Sequence, residues 1–283
     1  MLLKEIISKI QQKAKNTELK RKLLKASENL EKPRSAIFYT THKCASSFVR
    51  TLFNVLLEDS AYELVNYAGL IYQLGDQLSL VGDYELFLQK AYTELYSCYG
   101  KVYAPQRKYL DFPGRSEFKH IFFLRDPRDV LVSAYYSFGF IHTLPNNTTA
   151  KLNFQEKRAE IQDQGIDSFV LEQAKEWIIP QYQEYKELQE TAESHLYLTY
   201  GFFVGDTQNF IEKIMDYLEL APSKEKIELL MKKANPVQNQ ETMSHKRSGK
   251  TGQYLEKLKP KTITELNDLL SKTLADWQFE VGE

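Results

Sequence analysis

Lys43, followed by Ser46 and Ser47, puts one cation and two hydroxyls where the backbone itself can bind an anion. The stretch Thr40-Thr41-His42-Lys43-Cys44-Ala45-Ser46-Ser47-Phe48 follows the apolar run Ala36-Ile37-Phe38-Tyr39. It opens a segment in which Phe48, Val49, Leu52, Phe53, Leu56 and Leu57 recur at helical spacing. The pattern predicts a strand, a tight turn and a helix start. The first amides of a helix have no intrahelical partner and carry a partial positive charge. The turn is therefore an anion cradle, to which the lysine adds a full charge and the serines add donors. It contains no glycine, and its lysine precedes the hydroxyl pair. It thus lacks the G-x-x-x-x-G-K-S/T pattern of ATPases and kinases.

A second concentration of such residues lies downstream. His120-Ile121-Phe122-Phe123-Leu124 predicts a strand, and Arg125-Asp126-Pro127-Arg128-Asp129-Val130-Leu131-Val132-Ser133 a turn and helix start. Asp126 suits the N-cap and Pro127 the first helical position, with Asp129 a first-turn acid. Arg125 then stands at the turn, and Ser133 about two turns into the helix. A third basic loop, Lys246-Arg247-Ser248-Gly249-Lys250-Thr251-Gly252, follows far along the chain.

Taken in order, these segments resemble the sulfotransferases that use 3′-phosphoadenosine 5′-phosphosulfate (PAPS), in their cytosolic, microbial branch. Residues 40–48 are similar to the family's 5′-phosphosulfate loop, T-Y-P-K-S-G-T-T-W. Residues 125–133 are similar to its 3′-phosphate segment, R-N/D-P-x-D-x-x-x-S. Residues 247–254 are similar to R-K-G-x-x-G-x-W, with Ser248 in place of the lysine. Leu196 to Tyr200 looks like the adenine-contacting strand. The resemblance implies a P-loop-NTPase-like fold with a central, mostly parallel sheet between two helical layers. It also implies PAPS as donor and 3′-phosphoadenosine 5′-phosphate (PAP) as product, without a metal. Thr40, Thr41, Lys43, Cys44, Ala45, Ser46 and Ser47 would hold the 5′ end. Arg125, Ser133, Arg247, Ser248 and Gly249 would hold the 3′-phosphate, and Phe48 and Tyr200 the adenine. Lys43 would stabilise the charge that develops as the nucleotide leaves.

The general base is where the pattern departs from the family. The segment that usually carries a T-H-L-P histidine reads Val102-Tyr103-Ala104-Pro105-Gln106-Arg107 here. His42, where the family has proline, is the first substitute and His142 the second, since an imidazole titrates near neutral pH. Cys44 is read as a small filler beside the phosphosulfate. The acceptor is unread beyond a small molecule, glycan or lipid with a hydroxyl or amine. Two other classes compete: a nucleotide or nucleoside kinase, and a binder of PAPS or PAP without chemistry.

Elements that must position these residues can also be read. Short strands at 36–40, 101–104, 120–124 and 196–200 alternate with helical segments, which predicts an α/β fold with a parallel sheet and ligands at the strands' carboxyl ends. Pro105 is expected to stop its strand. Residues 61–98 read as mainly helical, residues 139–165 as a long loop or lid, and residues 166–192 as a helix interrupted near Pro180. Residues 1–32 read as a helical N-terminal extension, and 33–283 as one domain of a 283-residue chain. A net charge of -1 excludes a global pull towards nucleic acid. Two cysteines make no disulfide framework, and no run is long and apolar enough for a transmembrane helix. A cytoplasmic location follows as the expectation, and a homodimer is left open.

Overall fold

The computed structural model describes residues 31–69, 95–142, 148–234 and 249–279. The expected N-terminal extension, apart from its last two residues, lies outside them, as do Arg247 and Ser248. Five strands, β1 (Ala36–Thr40), β2 (Glu63–Val65), β3 (Lys101–Gln106), β4 (Lys119–Leu124) and β5 (His195–Thr199), form one sheet in the order β2-β3-β1-β4-β5. Every pairing is parallel. β1 is central and wholly buried. This explains why it is a continuous apolar run rather than an alternating one.

Alternate residues of the strands feed two separate cores. Ile37, Tyr39, Tyr103, Phe122 and Leu124 face α2 (Pro127–Tyr136), α4 (Ile179–Thr191) and α9 (Pro260–Asp276). Ala36, Phe38, Val102, Ile121 and Phe123 face α1 (Ser46–Leu56), α6 (Thr207–Leu218) and α7 (Lys224–Ala234). The period of two thus builds the three layers, helices over both faces of the sheet.

Three sequence expectations need correction. β3 does not stop at Pro105 but runs to Gln106. The proline sits where the register with β1 shifts, between the pairs Ile37–Tyr103 and Tyr39–Gln106, and its missing N–H interrupts no regular ladder there. Residues 61–98 are not uniformly helical, since they include β2; residues 70–94 lie outside the description. The expected lid at 139–165 is largely helical. A π-helical turn spans Ser137–Ile141, and α3 runs over Thr148–Gln173 with a break at Gly165, where φ is 74°. A second π-helical turn, Ala174–Ile178, leads into α4 close to Pro180. The remaining helices are α5 (Tyr200–Gly205) and α8 (Gln253–Lys257).

Candidate functional site

The carboxyl ends of β1 and β4 meet at the point where the chain switches from one side of β1 to the other, the usual ligand crevice of an open parallel sheet. β1 delivers the turn 41–45. Lys43 and Ala45 both adopt the left-handed region there, at φ 63° and 46°. Such conformations cost non-glycine residues energy and persist where the surroundings demand them. Ala45 is the N-cap of α1, and no side chain caps that terminus. The first intrahelical bond is donated by Val49 N to Ala45 O, so the amides of Ser46, Ser47 and Phe48 have no intrahelical acceptor. A full positive charge stands beside them in Lys43, whose Nζ donates to Ser137 Oγ at 3.0 Å.

β4 delivers Arg125, which is nearly inaccessible. Its guanidinium joins the segments that the sequence singled out. One terminal nitrogen donates to Lys43 O at 3.1 Å and the other to Lys250 O at 3.0 Å. The guanidinium lies 4.5 Å from the ring centroid of Tyr200, and the Tyr200 hydroxyl donates to Gly249 O at 3.3 Å. Arg125 Nε is buried with no hydrogen-bond partner. A buried cationic donor left open in this way fits an anionic ligand.

Asp129 completes the junction. Fully buried on α2, it accepts from Gly252 N at 2.8 Å and Tyr254 N at 3.2 Å, and lies 3.7 Å from Arg125. Burial raises its pKa, while Arg125 and the two amides pull the other way. Asp126 caps α2 as expected, accepting from Arg128 N at 2.9 Å, with Pro127 at the first helical position. Arg128 points away into the scaffold. It pairs with Asp126, donates to Asn267 Oδ1 at 2.7 Å and lies over Tyr254. The two arginines of one short motif therefore do different work.

α4 and the turn before it tie down the sheet's carboxyl edge. Tyr185 Oη donates to Thr40 O at 3.0 Å, Tyr182 Oη donates to Arg125 O, and Gln181 Nε2 donates to Arg107 O. Trp177 Nε1 donates to Gln181 Oε1 at 2.9 Å. These side chains hold the ends of β1, β4 and β3 through their carbonyls.

His42 lies under an aromatic roof. Its ring meets Phe138 and Trp177 edge-on, with centroids 6.3 and 5.9 Å away. These two aromatics come from the two π-helical turns, an irregularity common at functional sites. Burial, then Arg107, Lys43, His142 and Lys108, push the His42 pKa down to about 3. His142 is stacked on Phe154 at 5.6 Å and edge-on to Phe138 at 5.8 Å.

Several sequence-predicted residues are placed differently from their expected roles. Cys44 turns into the core. Its thiol lies 3.5 Å from Phe123 O, and burial pushes its pKa to about 12, so its side chain is inert. Phe48 stacks on Phe203 at 4.8 Å within the core beneath α1. Thr40 and Thr41 are buried, Ser46 is half-buried and Ser47 exposed at the turn's outer side. Ser133 is half-buried on the α2 face that runs from Asp129 through Ser133 to Ser137, at spacings of four residues. Ser137, Asp129 and the α4 tyrosines were missed as site residues. The i+4 step from Ser133 was the available signal for Ser137.

The sulfotransferase domain model matches residues 108–278. That range contains Arg125, Asp129, Tyr200 and the distal loop, and leaves the Lys43 turn outside. No curated protein sequence matches the chain. Among solved structures, it is similar to mouse sulfotransferase SULT7A1 complexed with PAP, at 14% identity over 95% of this chain and 89% of that one, with a TM-score of 0.56. It is also similar to a retinol dehydratase in complex with androsterone and inactive cofactor PAP. There the identity is 15%, the coverage 88% and 82%, and the TM-score 0.51. At such identities the likeness establishes the fold.

Proposed function

The chain belongs to the sulfotransferase domain family, and from that premise we propose that it transfers a sulfuryl group from PAPS to a hydroxyl or amine of a small acceptor. The observation that carries this reading is the Arg125 junction. One buried guanidinium with an open Nε binds the main chain of both the Lys43 turn and the distal loop. Two anionic ends on one nucleoside require two separate cationic sites. Arg125, with the half-buried Ser133 nearby on α2, supports a 3′-phosphate site; Lys43 and the uncapped amides of α1 support a 5′ site. Arg247 and Ser248 belong to the former in this reading, from the sequence alone. Tyr200 bears on the adenine through the face that Arg125 leaves open, whereas Phe48 supports that region from the core.

The donor supplies a sulfuryl group on a bridging oxygen, and the chain supplies position and charge. Lys43 faces the charge that develops on that oxygen, and its bond to Ser137 fixes its direction. His42 is the base of this reading. With a pKa near 3 it is neutral at any working pH and accepts a proton from an acceptor hydroxyl placed against it. Anionic charge arriving beside Lys43 opposes the surrounding cations and strengthens the base in the complex. His142, across Phe138, is the second candidate. Cys44 and Cys98 form no disulfide, which supports a cytoplasmic location; among the described residues no helix is long and apolar enough to cross a membrane.

The test is calorimetric titration with PAP and with adenosine 5′-monophosphate, beside an acceptor screen with labelled PAPS. Tighter binding of PAP, together with label transfer to an acceptor, is the expected result. No PAP binding and no transfer to any phenol, sugar, lipid or amine would overturn the reading.

A further inference from the structure

Phe154, Arg158 and Gln162 follow one another at steps of four along α3 and so share one face. That face lies on the π-helical turn Ser137–Ile141. The turn is closed by His142 N, which donates to Ser137 O at 2.7 Å. At His142 the backbone becomes extended, so the last carbonyls of the turn need donors from elsewhere. α3 supplies them. Arg158 Nε donates to Phe138 O at 3.2 Å, and one terminal nitrogen donates to His142 O at 2.5 Å. Gln162 Nε2 donates to Gly139 O at 2.5 Å. Gly139 lets the helix come this close, since a Cβ there would stand 3.2 Å from Ile161 Cγ2. The Arg158 guanidinium also lies over the Phe154 ring at 5.2 Å, and Phe154 stacks on His142.

We infer that Arg158 is a positioning residue for sulfuryl transfer: it holds the π-helical turn by a carbonyl near either end, and so keeps Ser137 on Lys43 and Phe138 against His42. The inference rests on the sulfotransfer reading above and adds to it a residue that none of the nucleotide motifs contains. Three features support it. The turn carries both neighbours of the reacting corner at its start. Ser137 accepts from Lys43 Nζ at 3.0 Å, and Phe138 meets the His42 ring edge-on at 6.3 Å. Arg158 serves main-chain oxygens and one ring face, and pairs with no carboxylate among the described residues. Its planar fork sets the spacing of the two carbonyls as no single-point donor could. Lastly, the half of α3 before Gly165 exposes most of its side chains, whereas Phe169 and Val170 beyond the break at φ 74° are in the core. Bonds from Arg158 and Gln162, more than apolar burial, therefore fasten that half to the turn.

The experiment compares the full-length protein with Arg158→Gln and Arg158→Lys by three readouts. These are calorimetry with PAP, single-turnover transfer from labelled PAPS to phenol, glucose or benzylamine, and the NMR signal of 13C-labelled His42 Cε1, assigned by its loss in His42→Gln. Arg158→Gln is expected to lower the transfer rate about tenfold to a hundredfold, the cost of a misplaced group. PAP affinity is expected to stay within about threefold of wild type, and the His42 signal to shift as Phe138 moves off its ring. Arg158→Lys keeps the charge but not the fork, and is expected to fall between the two. A His42 signal unmoved in folded Arg158→Gln overturns the inference, because Arg158 then holds α3 alone; a transfer rate equal to wild type does the same. A loss of PAP affinity as large as the loss of rate also overturns it, by moving Arg158 to the donor. If Arg158→Gln does not fold, the same readouts on Arg158→Lys decide. Wild-type protein that neither binds PAP nor transfers label counts instead against the sulfotransfer reading, and the His42 signal still judges the placement of the turn.

Discussion

Replacing Asp129 by asparagine keeps the volume and removes the charge at the point where the distal loop is fastened. The carboxylate accepts two amides, from Gly252 at 2.8 Å and Tyr254 at 3.2 Å, and faces Arg125 at 3.7 Å, with no exposure to solvent. Asparagine offers one acceptor oxygen, so one amide must face an NH2 group instead. A hydrogen bond to a charged group contributes about 1.5–3 kcal/mol, and a buried donor left unsatisfied costs about 1–3 kcal/mol. Relief from burying a carboxylate returns part of this. A net loss of about 2–4 kcal/mol follows, carried first by the attachment of residues 249–254 and only then by the whole domain. PAP affinity is therefore expected to fall at least about tenfold, which 1.4 kcal/mol already produces. The urea midpoint is expected to fall more modestly. Calorimetry with PAP and equilibrium unfolding in urea measure the two effects. Affinity within threefold of wild type, with an unchanged midpoint, would refute the view that this carboxylate clamps the loop.

Lys43→Ala is expected to lower turnover by about three decades. A unit charge about 4 Å from developing charge, at an effective dielectric near 20, is worth about 4 kcal/mol; single-turnover rates with labelled PAPS check this, and a near-normal rate would remove Lys43 from the chemistry. Ala45→Gly is expected to leave stability unchanged or raise it by up to about 1 kcal/mol, because relief at φ 46° outweighs the added freedom of the unfolded chain; a loss beyond 1 kcal/mol in urea unfolding would contradict the strained turn. His120, buried with Nε2 3.0 Å from Arg115 O and Nδ1 without a partner, has its pKa lowered to about 4, chiefly by burial. The unfolded chain takes up this proton near 6.5 and the folded one only near 4, so stability is full above pH 6.5 and falls by about 3 kcal/mol as pH drops to 4. Urea midpoints measured from pH 7.5 to 4.5 should show that slope, and it should be weaker in His120→Gln. His42→Gln is expected to lower kcat far more than it changes PAP affinity; equal kcat in the variant would pass the role of base to His142.

What could be read from the chain follows how far each signal travels. β1 and β4 were legible because a buried parallel strand must be an apolar run, and α2 because Asp126 and Pro127 act on the backbone beside them. The part of α3 before Gly165 was illegible because Lys151, Gln155, Glu156 and their neighbours present no sustained apolar stripe, and a segment polar over most of its surface has little period to detect. Residues 145 apart, Tyr185 and Thr40, meet through a main-chain carbonyl, which leaves no trace in either neighbourhood. The Cys44 and His42 pKa values show the same limit. Residue type suggested a small filler beside the ligand and a base near neutrality, and burial in the core pushes the thiol up and the imidazole down.

The sheet order turns this separation of signals into a division of labour. The motifs legible in the sequence cluster at the ends of β1, β4 and β5. The segment at β3 that resembles the family's base-bearing one, Val102 to Arg107, carries no histidine. A nucleotide site constrains residue types wherever it occurs, whereas an acceptor site varies with the acceptor. His42 stands between the two halves, one residue before Lys43 and beneath aromatics from both π-helical turns.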